Sequence, residues 1–408
     1  MELTDIIYII ILISLSYFTF FHLILWFESR DKLKKTALKD SQLPTVSILV
    51  PAYNEEKIIG EALEKLMSVG YPKNKLEVIV IDDGSKDNTY SIAKNFESKN
   101  LRVLKKKNTG KASSLNYGLR HTKHEFVAVM DADSFLERNA LRQCMAYFDE
   151  DNVAAVTSHV MVKRRKTIWE RMQHTEHMVI SLMRKAQEQV NVINVTPGPL
   201  SIYRKRVLMK VGGFDEKSII EDVEIDWRLL RNGYKIRMAF DAMVHSIYPD
   251  TFKMWWGQRR RWVIGGLQTF VKYFGTIFDR KSHGVGNWIV PTSLIGYSFA
   301  LLGTSLFGYH VFTKILNYVI YFTAAFSAGT NPFTRFEFNY NIDLLFVYGI
   351  IMFLISLFII RLSIHVHKDR PKFLILALFI TLYPTLLTVN LLISMYKFVR
   401  GQRGWLTK

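Results

Sequence analysis

The sequence predicts an α/β domain on a mostly parallel sheet, framed at both ends by membrane-spanning helices. Three observations predict it. Apolar runs long enough to cross a bilayer stand at either end. Between them, short β-branched bursts alternate with helical stretches. Carboxylates recur where those bursts stop, the place where open α/β sheets bind ligands. Of 408 residues 49% are hydrophobic, ample for a core and incompatible with a disordered chain. The single cysteine, Cys144, excludes an intrachain disulfide framework and reads as a core residue. Lys and Arg number 54 against 36 Asp and Glu, a net charge of +18, and the charge is segregated from the apolar runs.

Residues 5–27 (DIIYIIILISLSYFTFFHLILWF) carry one acid at the outer end and one histidine, His22. Glu2 and Asp5 stand where a cleavable signal peptide has a basic start, and the run ends on Trp26 and Phe27, so residues 1–28 read as a retained anchor. Arg30, Lys32, Lys34, Lys35 and Lys39 follow, placing the next domain in the cytoplasm and the N-terminus outside. From 44 to 281 the bursts VSILVPA, LEVIVIDD, EFVAVMDAD and VAAVTSHV alternate with helical stretches such as 55–69 and 85–97. Continuous runs of this kind suit strands buried on both faces. Residues 29–286 therefore form the cytoplasmic domain. Within it, about 163–190 has a basic start and an apolar side (Ile168, Trp169, Met172, Met178, Leu182, Met183), fitting either an interface-lying helix or a plain surface helix. About 251–280 reads as a second interfacial helix.

Residues 287–408 are expected to hold three or four further membrane helices. The stretch 288–327 fits two short spans with a turn near 308–314, 343–365 and 373–396 fit one each, and 331–341 reads as a short loop. Five spans in all end inside, which agrees with Lys397, Arg400, Arg403 and Lys408. The loop 365–372, with Lys368, Arg370 and Lys372, then faces outward against that rule, unless one stretch of 288–327 lies in the interface.

Four carboxylate-bearing segments mark predicted strand ends: Pro51-Ala52-Tyr53-Asn54-Glu55, Asp82-Asp83-Gly84-Ser85, Asp131-Ala132-Asp133, and Glu221-Asp222 after a Gly-Gly-Phe-Asp turn. Each alone is an ordinary cap or surface acid; Asp83 and Ser85 can cap the helix that follows. Together they repel one another unless a cation or ligand offsets the charge. Asn108-Thr109-Gly110-Lys111, with Ser113, Ser114 and Asn116, opens a helix whose free N–H groups favour an anion, without P-loop spacing. An ordinary helix start with an exposed lysine is the alternative. Gln258-Arg259-Arg260-Arg261-Trp262, after Trp255 and Trp256, reads either as an interfacial helix or as a diphosphate clamp beside an aromatic sugar platform, and the two are compatible. His174, His177 and His245 read as structural rather than as metal ligands.

The motifs YNE, DDGS, NTGK, DAD, ED and QxxRW, in this order and flanked by spans, resemble the family 2 inverting glycosyltransferases. Within them the likeness is to the membrane-embedded processive group of poly-N-acetylglucosamine, hyaluronan, chitin and cellulose synthases. The resemblance covers about residues 44–275. It implies a GT-A fold with a Rossmann-like mixed sheet and a UDP-sugar donor used with Mg2+ or Mn2+. Carried over by motif, Ala52, Tyr53, Glu55 and Asp83, with Asp82 beside them, hold the nucleotide. Lys111 and Arg261 meet the diphosphate, Asp131 the nucleotide-sugar, and Asp133 coordinates the metal. Asp222 matches the general base. Glu221, Gln258 and Trp262 fall at the acceptor, and Gly198, in Thr196-Pro197-Gly198-Pro199, at its entrance, where the pattern is closest to hyaluronan synthases. Ile220 stands where the family's TED motif has threonine.

The resemblance implies β-linked extension of a GlcNAc-containing or hyaluronan-like polysaccharide at the cell membrane, exported through the chain's own helices; the runner-up is a single transfer that forms a glycolipid. The implied partners are the donor, a polysaccharide or glycolipid acceptor and the bilayer, with a partner subunit left open. A transporter is disfavoured by the few charges in the apolar runs. Nucleic-acid binding is disfavoured because the basic residues sit near membrane segments, where anionic headgroups account for them.

Overall fold

The computed structural model describes residues 3–331 and 344–402. Beyond Asn331, the loop expected over 331–341 lies outside the described residues, as do Arg403 and Lys408 of the tail. The strands are β1 Val46–Ala52, β2 Leu76–Asp82, β3 Leu101–Lys105, β4 Phe126–Val129, β5 Ser134–Leu136, β6 Val153–Val162, β7 Ser201–Arg204 and β8 Lys235–Ser246. The helices are α1 Leu3–Ser29, α2 Ile59–Met67, α3 Thr89–Lys94, α4 Lys111–His121, α5 Ala140–Met145, α6 Ile168–Glu188, α7 Lys205–Lys210, α8 Glu221–Arg231, α9 Phe252–Tyr273, α10 Val290–Ser327, α11 Leu344–His367 and α12 Phe373–Val399.

One eight-stranded sheet runs β3-β2-β1-β4-β7-β6-β8-β5. Strands β1 to β4 are parallel, whereas β7 lies antiparallel to both β4 and β6. The sheet is thus mixed. The apolar bursts become central strands because both faces are covered: Ile48, Leu49 and Val50 of β1 and Val78, Ile79 and Val80 of β2 are fully buried. Burial of each such side chain contributes about 1.5–3 kcal/mol. From β1 the chain winds outward to β3 and then returns to the other side of β1 at β4. The crevice beyond the carboxyl ends of β1 and β4 is therefore a topological switch point, the ligand position of open α/β sheets.

The chain divides into two compact units. The larger holds the sheet together with residues from Leu362 onward. In it α6 lies between the sheet and α12, which is why Met172, Met178 and Leu182 are buried, and Gln173 and Lys185 with them. The basic loop after α11 rests on this same domain: Asp369 accepts from His174 at 2.9 Å and pairs with Arg165. In the smaller unit Ser16 of α1 donates to Met352 of α11.

Among the described residues four helical segments are long and apolar enough to cross a membrane: Ile6–Ser29, Val285–Ser327, Gly349–His367 and Phe373–Val399. The two short spans expected in 288–327 are instead one continuous helix, α10. The expected turn fails because Gly308 and Lys314 do not break a helix; an interior glycine costs about 1 kcal/mol, which a long helical run absorbs.

Candidate active site

The loop after β1 is pinned onto the loop after β2. Asn54 adopts φ +56°, a conformation asparagine tolerates, and its N–H donates to Ser85 Oγ at 3.0 Å while its Oδ1 accepts from Lys86 N at 2.9 Å. Glu55 N donates to Thr89 Oγ1 at 2.7 Å. Ser85 thus serves this loop and does not cap α3, and the helices expected from 55 and 85 begin later, at Ile59 and Thr89, because the intervening residues form these ties. Ala52 is buried at the end of β1, and Tyr53 is exposed beyond it.

Asp83 does not cap α3 either. Its Oδ1 pairs with Lys106 at 2.6 Å and accepts from Thr109 N at 3.1 Å, and its Oδ2 accepts from Gly110 N at 2.8 Å. This buried carboxylate fixes the segment that delivers Lys111 to the first position of α4. Gly110 sits at φ +98°, a backbone state that favours glycine. Asp82 is fully buried; one oxygen accepts from Ser85 N and the other has no hydrogen-bond partner among the described residues.

Lys111 is the hub. Its Nζ lies 2.7 Å from Asp131 Oδ1 and 2.9 Å from Glu221 Oε1. Burial opposes its charge, but the carboxylates of Asp131, Glu221 and Asp222 outweigh burial and hold the ammonium firmly protonated. Glu221 and Asp222 occupy the first turn of α8, where the helix dipole favours acids. Asp222 is nonetheless pushed up to about 6, by burial first and by the neighbouring charges of Glu221 and Asp131, with Lys111 opposing. Gly198 is required by contact: its carbonyl accepts from Asp131 N at 3.0 Å, and a Cβ on it would lie 2.6 Å from Asp131 Oδ1 and closer still to Oδ2. Asp133, two residues on, accepts from Ser246 Oγ at 3.3 Å.

Helix α9 is anchored to the approach to Glu221. Gln268 Oε1 accepts from Ile219 N at 3.0 Å, and Gly265 lets Ile220 pack against the helix where a Cβ would meet it at 2.6 Å. Trp262 packs against Val160, Val162 and Tyr248, with the Arg259 guanidinium 4.3 Å from its ring centroid. Gln258 and Arg261 share this helix. Gln258 Oε1 is buried without a partner, and Arg261 is half-buried and forms no ion pair among the described residues.

The fold thus brings Lys111, Asp131, Gly198, Glu221 and Asp222 into one group, with Asp82 and Asp83 behind it and the α9 residues tied to the same helix start. The ordinary-lysine alternative for Lys111 does not hold. The histidines are structural in their contacts: His174 meets Asp369, His177 meets Tyr248 edge to face, and His245 faces Glu137. Sequence reasoning missed Asp226, a fully buried acid one turn after Asp222. Its Oδ1 accepts from Thr196 Oγ1 at 2.9 Å, and burial pushes its carboxyl well above the usual carboxylate range. Its spacing of four from Asp222, on the same helix face, was the available signal.

Comparison with known proteins agrees with this geometry. Residues 47–212 match glycosyl transferase family 2. A probable glycosyltransferase of Bacillus subtilis, YdaM, is 32% identical over 249 residues, 59% of each chain. The poly-beta-1,6-N-acetyl-D-glucosamine synthase of Staphylococcus aureus is 28% identical over 252 residues, 61% of each. The chain thus spans about three-fifths of the length of the curated relatives it matches. In fold it is similar to a mannosyltransferase of Pyrobaculum calidifontis solved with GDP-Man and Mn2+, with a TM-score of 0.54 and 24% identity, covering 76% of this chain and 92% of that one. The chain thus carries, at residues 47–212, a domain that matches glycosyl transferase family 2.

Proposed function

We propose that the chain is an inverting β-glycosyltransferase that uses a UDP-sugar to extend a GlcNAc-containing polysaccharide. The observation that carries this is the convergence of Lys111, Asp131, Glu221 and Asp222 at the switch point of the sheet. The named activity of the Staphylococcus aureus relative supports the polysaccharide and the sugar.

In this reading Asp222 takes the proton from an acceptor hydroxyl. The freed oxygen pair bonds to the anomeric carbon from the face opposite the diphosphate. The bond from that carbon to the diphosphate oxygen breaks, and UDP departs with the electron pair. A single displacement inverts the centre. Lys111 and Arg261 stand ready for negative charge on the leaving group. Asp83 acts indirectly by holding the Lys111 segment, with Ala52, Tyr53, Glu55 and Asp82 at the nucleoside end. Trp262 and Gln258 lie at the acceptor end, and Gly198 gives Asp131 its room.

The residues fit a divalent cation. The donor set is carboxylate oxygen, suited to Mg2+ or Mn2+. Among the described residues no group of three His, Cys, Asp or Glu side chains is arranged to hold a metal alone. Asp133 would therefore hold it together with the phosphates of the nucleotide, the usual arrangement for Mg2+. A cation there supplies neutralisation of the departing diphosphate.

We further propose that the four apolar helices cross the bilayer with the domain in the cytoplasm and give the product its path. With α10 as one helix, two spans separate the domain from the loop 368–372. Lys368, Arg370 and Lys372 then share the domain's side, in keeping with the positive-inside rule and with the contacts of Asp369, whereas Lys397 and Arg400 at the end of α12 fall on the far side, against the expectation from five spans.

Product analysis tests the function: purified full chain incubated with Mn2+ and UDP-GlcNAc, UDP-Glc or UDP-GlcA, separately and mixed. A GlcNAc polymer is expected. One sugar on a lipid would replace polymer extension by glycolipid formation, and no UDP release from any donor would overturn the enzyme.

A further inference from the structure

We infer that Tyr383, in the last apolar helix, sets the position of Trp262 through Glu176 and Arg259, making these three positioning residues for the acceptor end of the site. The inference rests on Trp262 receiving the acceptor sugar, as proposed above.

Arg259 lies inside the QxxRW segment yet is only 4% exposed. Its Nη2 pairs with Glu176 Oε2 of α6 at 2.5 Å and donates to Tyr383 Oη of α12 at 3.2 Å. Tyr383 Oη donates to that same Oε2 at 2.9 Å and accepts from Trp255 Nε1 at 2.9 Å. The hydroxyl therefore gives one hydrogen bond and receives two, and its bonding capacity is full. Three helices, α6, α9 and α12, close on one buried network. The same guanidinium covers Trp262 at 4.3 Å, and the indole's other packing partners, Val160, Val162 and Tyr248, are apolar or aromatic.

A buried guanidinium keeps the plane its carboxylate imposes, because breaking such a pair leaves an uncompensated charge. Turning Tyr383 or Glu176 therefore turns the guanidinium plane, and the indole face follows. Pro384 comes immediately after Tyr383 and interrupts the hydrogen-bond ladder of α12 at that level, making it the natural point for the helix to bend. Lys111, Asp131, Glu221 and Asp222 take no part in this network. A shift at Tyr383 is thus felt at the acceptor platform and spares the donor end.

The test uses the full chain in lipid nanodiscs with Tyr383→Phe and Glu176→Gln, UDP-GlcNAc as donor and a GlcNAc tetramer as acceptor. The expected result is an acceptor KM raised about fivefold, the factor that loss of a single ordinary hydrogen bond commonly brings, with donor KM unchanged. In a Trp262→Ala background Tyr383→Phe should add nothing. A second readout does not depend on activity. With 5-fluorotryptophan in the eight tryptophans, the resonance lost in Trp262→Phe should move in Tyr383→Phe, although the two side chains do not touch. A moved resonance in a chain that transfers no sugar would sink the enzymatic reading and leave the coupling standing. An unmoved resonance, or donor and acceptor KM rising together, overturns the coupling.

Discussion

Replacing Asp222 by asparagine separates what this carboxylate does to the fold from what it does in the reaction. Burial, then the charges of Glu221 and Asp131, carry its pKa from 3.8 to about 6 against the pull of Lys111. At 1.36 kcal/mol per pKa unit that rise corresponds to about 3 kcal/mol. The sign follows from proton binding. The folded protein holds the Asp222 proton more tightly than the unfolded chain does, so this site's contribution is full below pH 3.8 and is lost as the pH rises through 6. Wild type at pH 8 therefore carries about 3 kcal/mol of destabilisation that Asp222→Asn removes. For a protein of this size the unfolding midpoint should rise by about 3–4 °C at pH 8, the gain shrinking to under about one degree by pH 4. Thermal unfolding of the detergent-solubilised chain across pH 4–8 measures it. The same substitution should lower glycosyl transfer about 10²–10⁴-fold with UDP binding intact. The wild-type rate should fall tenfold per pH unit below about 6. Equal midpoints for the two proteins at pH 8 would refute the electrostatic reasoning, and full activity in the variant would remove the base.

Four further outcomes follow from the same contacts. Glu221→Gln removes a like charge beside Asp222, so the acid limb of the rate profile should move to lower pH; an unmoved limb means that the limb reports another group. Gly198→Ala drives a methyl into the Asp131 carboxylate, which must swing off Lys111; transfer should drop about tenfold or more, with thermal stability lowered by about 1–3 kcal/mol from overpacking. Asp83→Asn breaks the Lys106 pair and weakens two backbone hydrogen bonds, so amide exchange over residues 106–112 should quicken and the donor KM should rise. Asp133→Ala should raise the Mn2+ concentration for half-maximal activity at least about tenfold, since loss of even an outer-shell partner costs about that much; a titration identical to wild type assigns the metal elsewhere.

The strands were legible because burial on both faces leaves a continuous apolar run, and β1, β2, β4 and β6 read directly. The carboxylates at their ends were legible for the same reason, since a strand that stops on an acid marks the rim of the sheet. What each acid touches was not legible. Asp83 read as a cap or a nucleotide ligand, and only the fold shows that the chain returns after β3 to lay Thr109 and Gly110 on it. Arg259 read with its neighbours as charge for phosphates or headgroups. Its partners, Glu176 and Tyr383, lie 83 and 124 residues away, a separation at which one sequence carries no pairing signal. Helix α10 was misread because hydropathy reports the length of an apolar stretch without saying whether the backbone turns inside it.

The basic residues of this chain divide by burial rather than by motif, and the division bears on how a charged donor enters. Arg259 is buried against Glu176, and Lys106 is held by Asp83, Lys107 O and Thr109 Oγ1, so neither is placed to meet a diphosphate. Lys111 is partly open to solvent, but it faces Asp131 and Glu221 directly and Asp222 nearby. One ammonium against three carboxylates leaves a net charge of 1 − 3 = −2 when all are ionised. A bare diphosphate is repelled from such a place, whereas a diphosphate already carrying a divalent cation is not. The excess of acid over base at the hub thus gives the DAD segment a physical reason to be acidic. Burial is the first cause of the raised Asp222 pKa and the charges of Glu221 and Asp131 add to it; a cation-bearing donor would offset that added part and so favour the ionised carboxylate that an acceptor hydroxyl needs as a base.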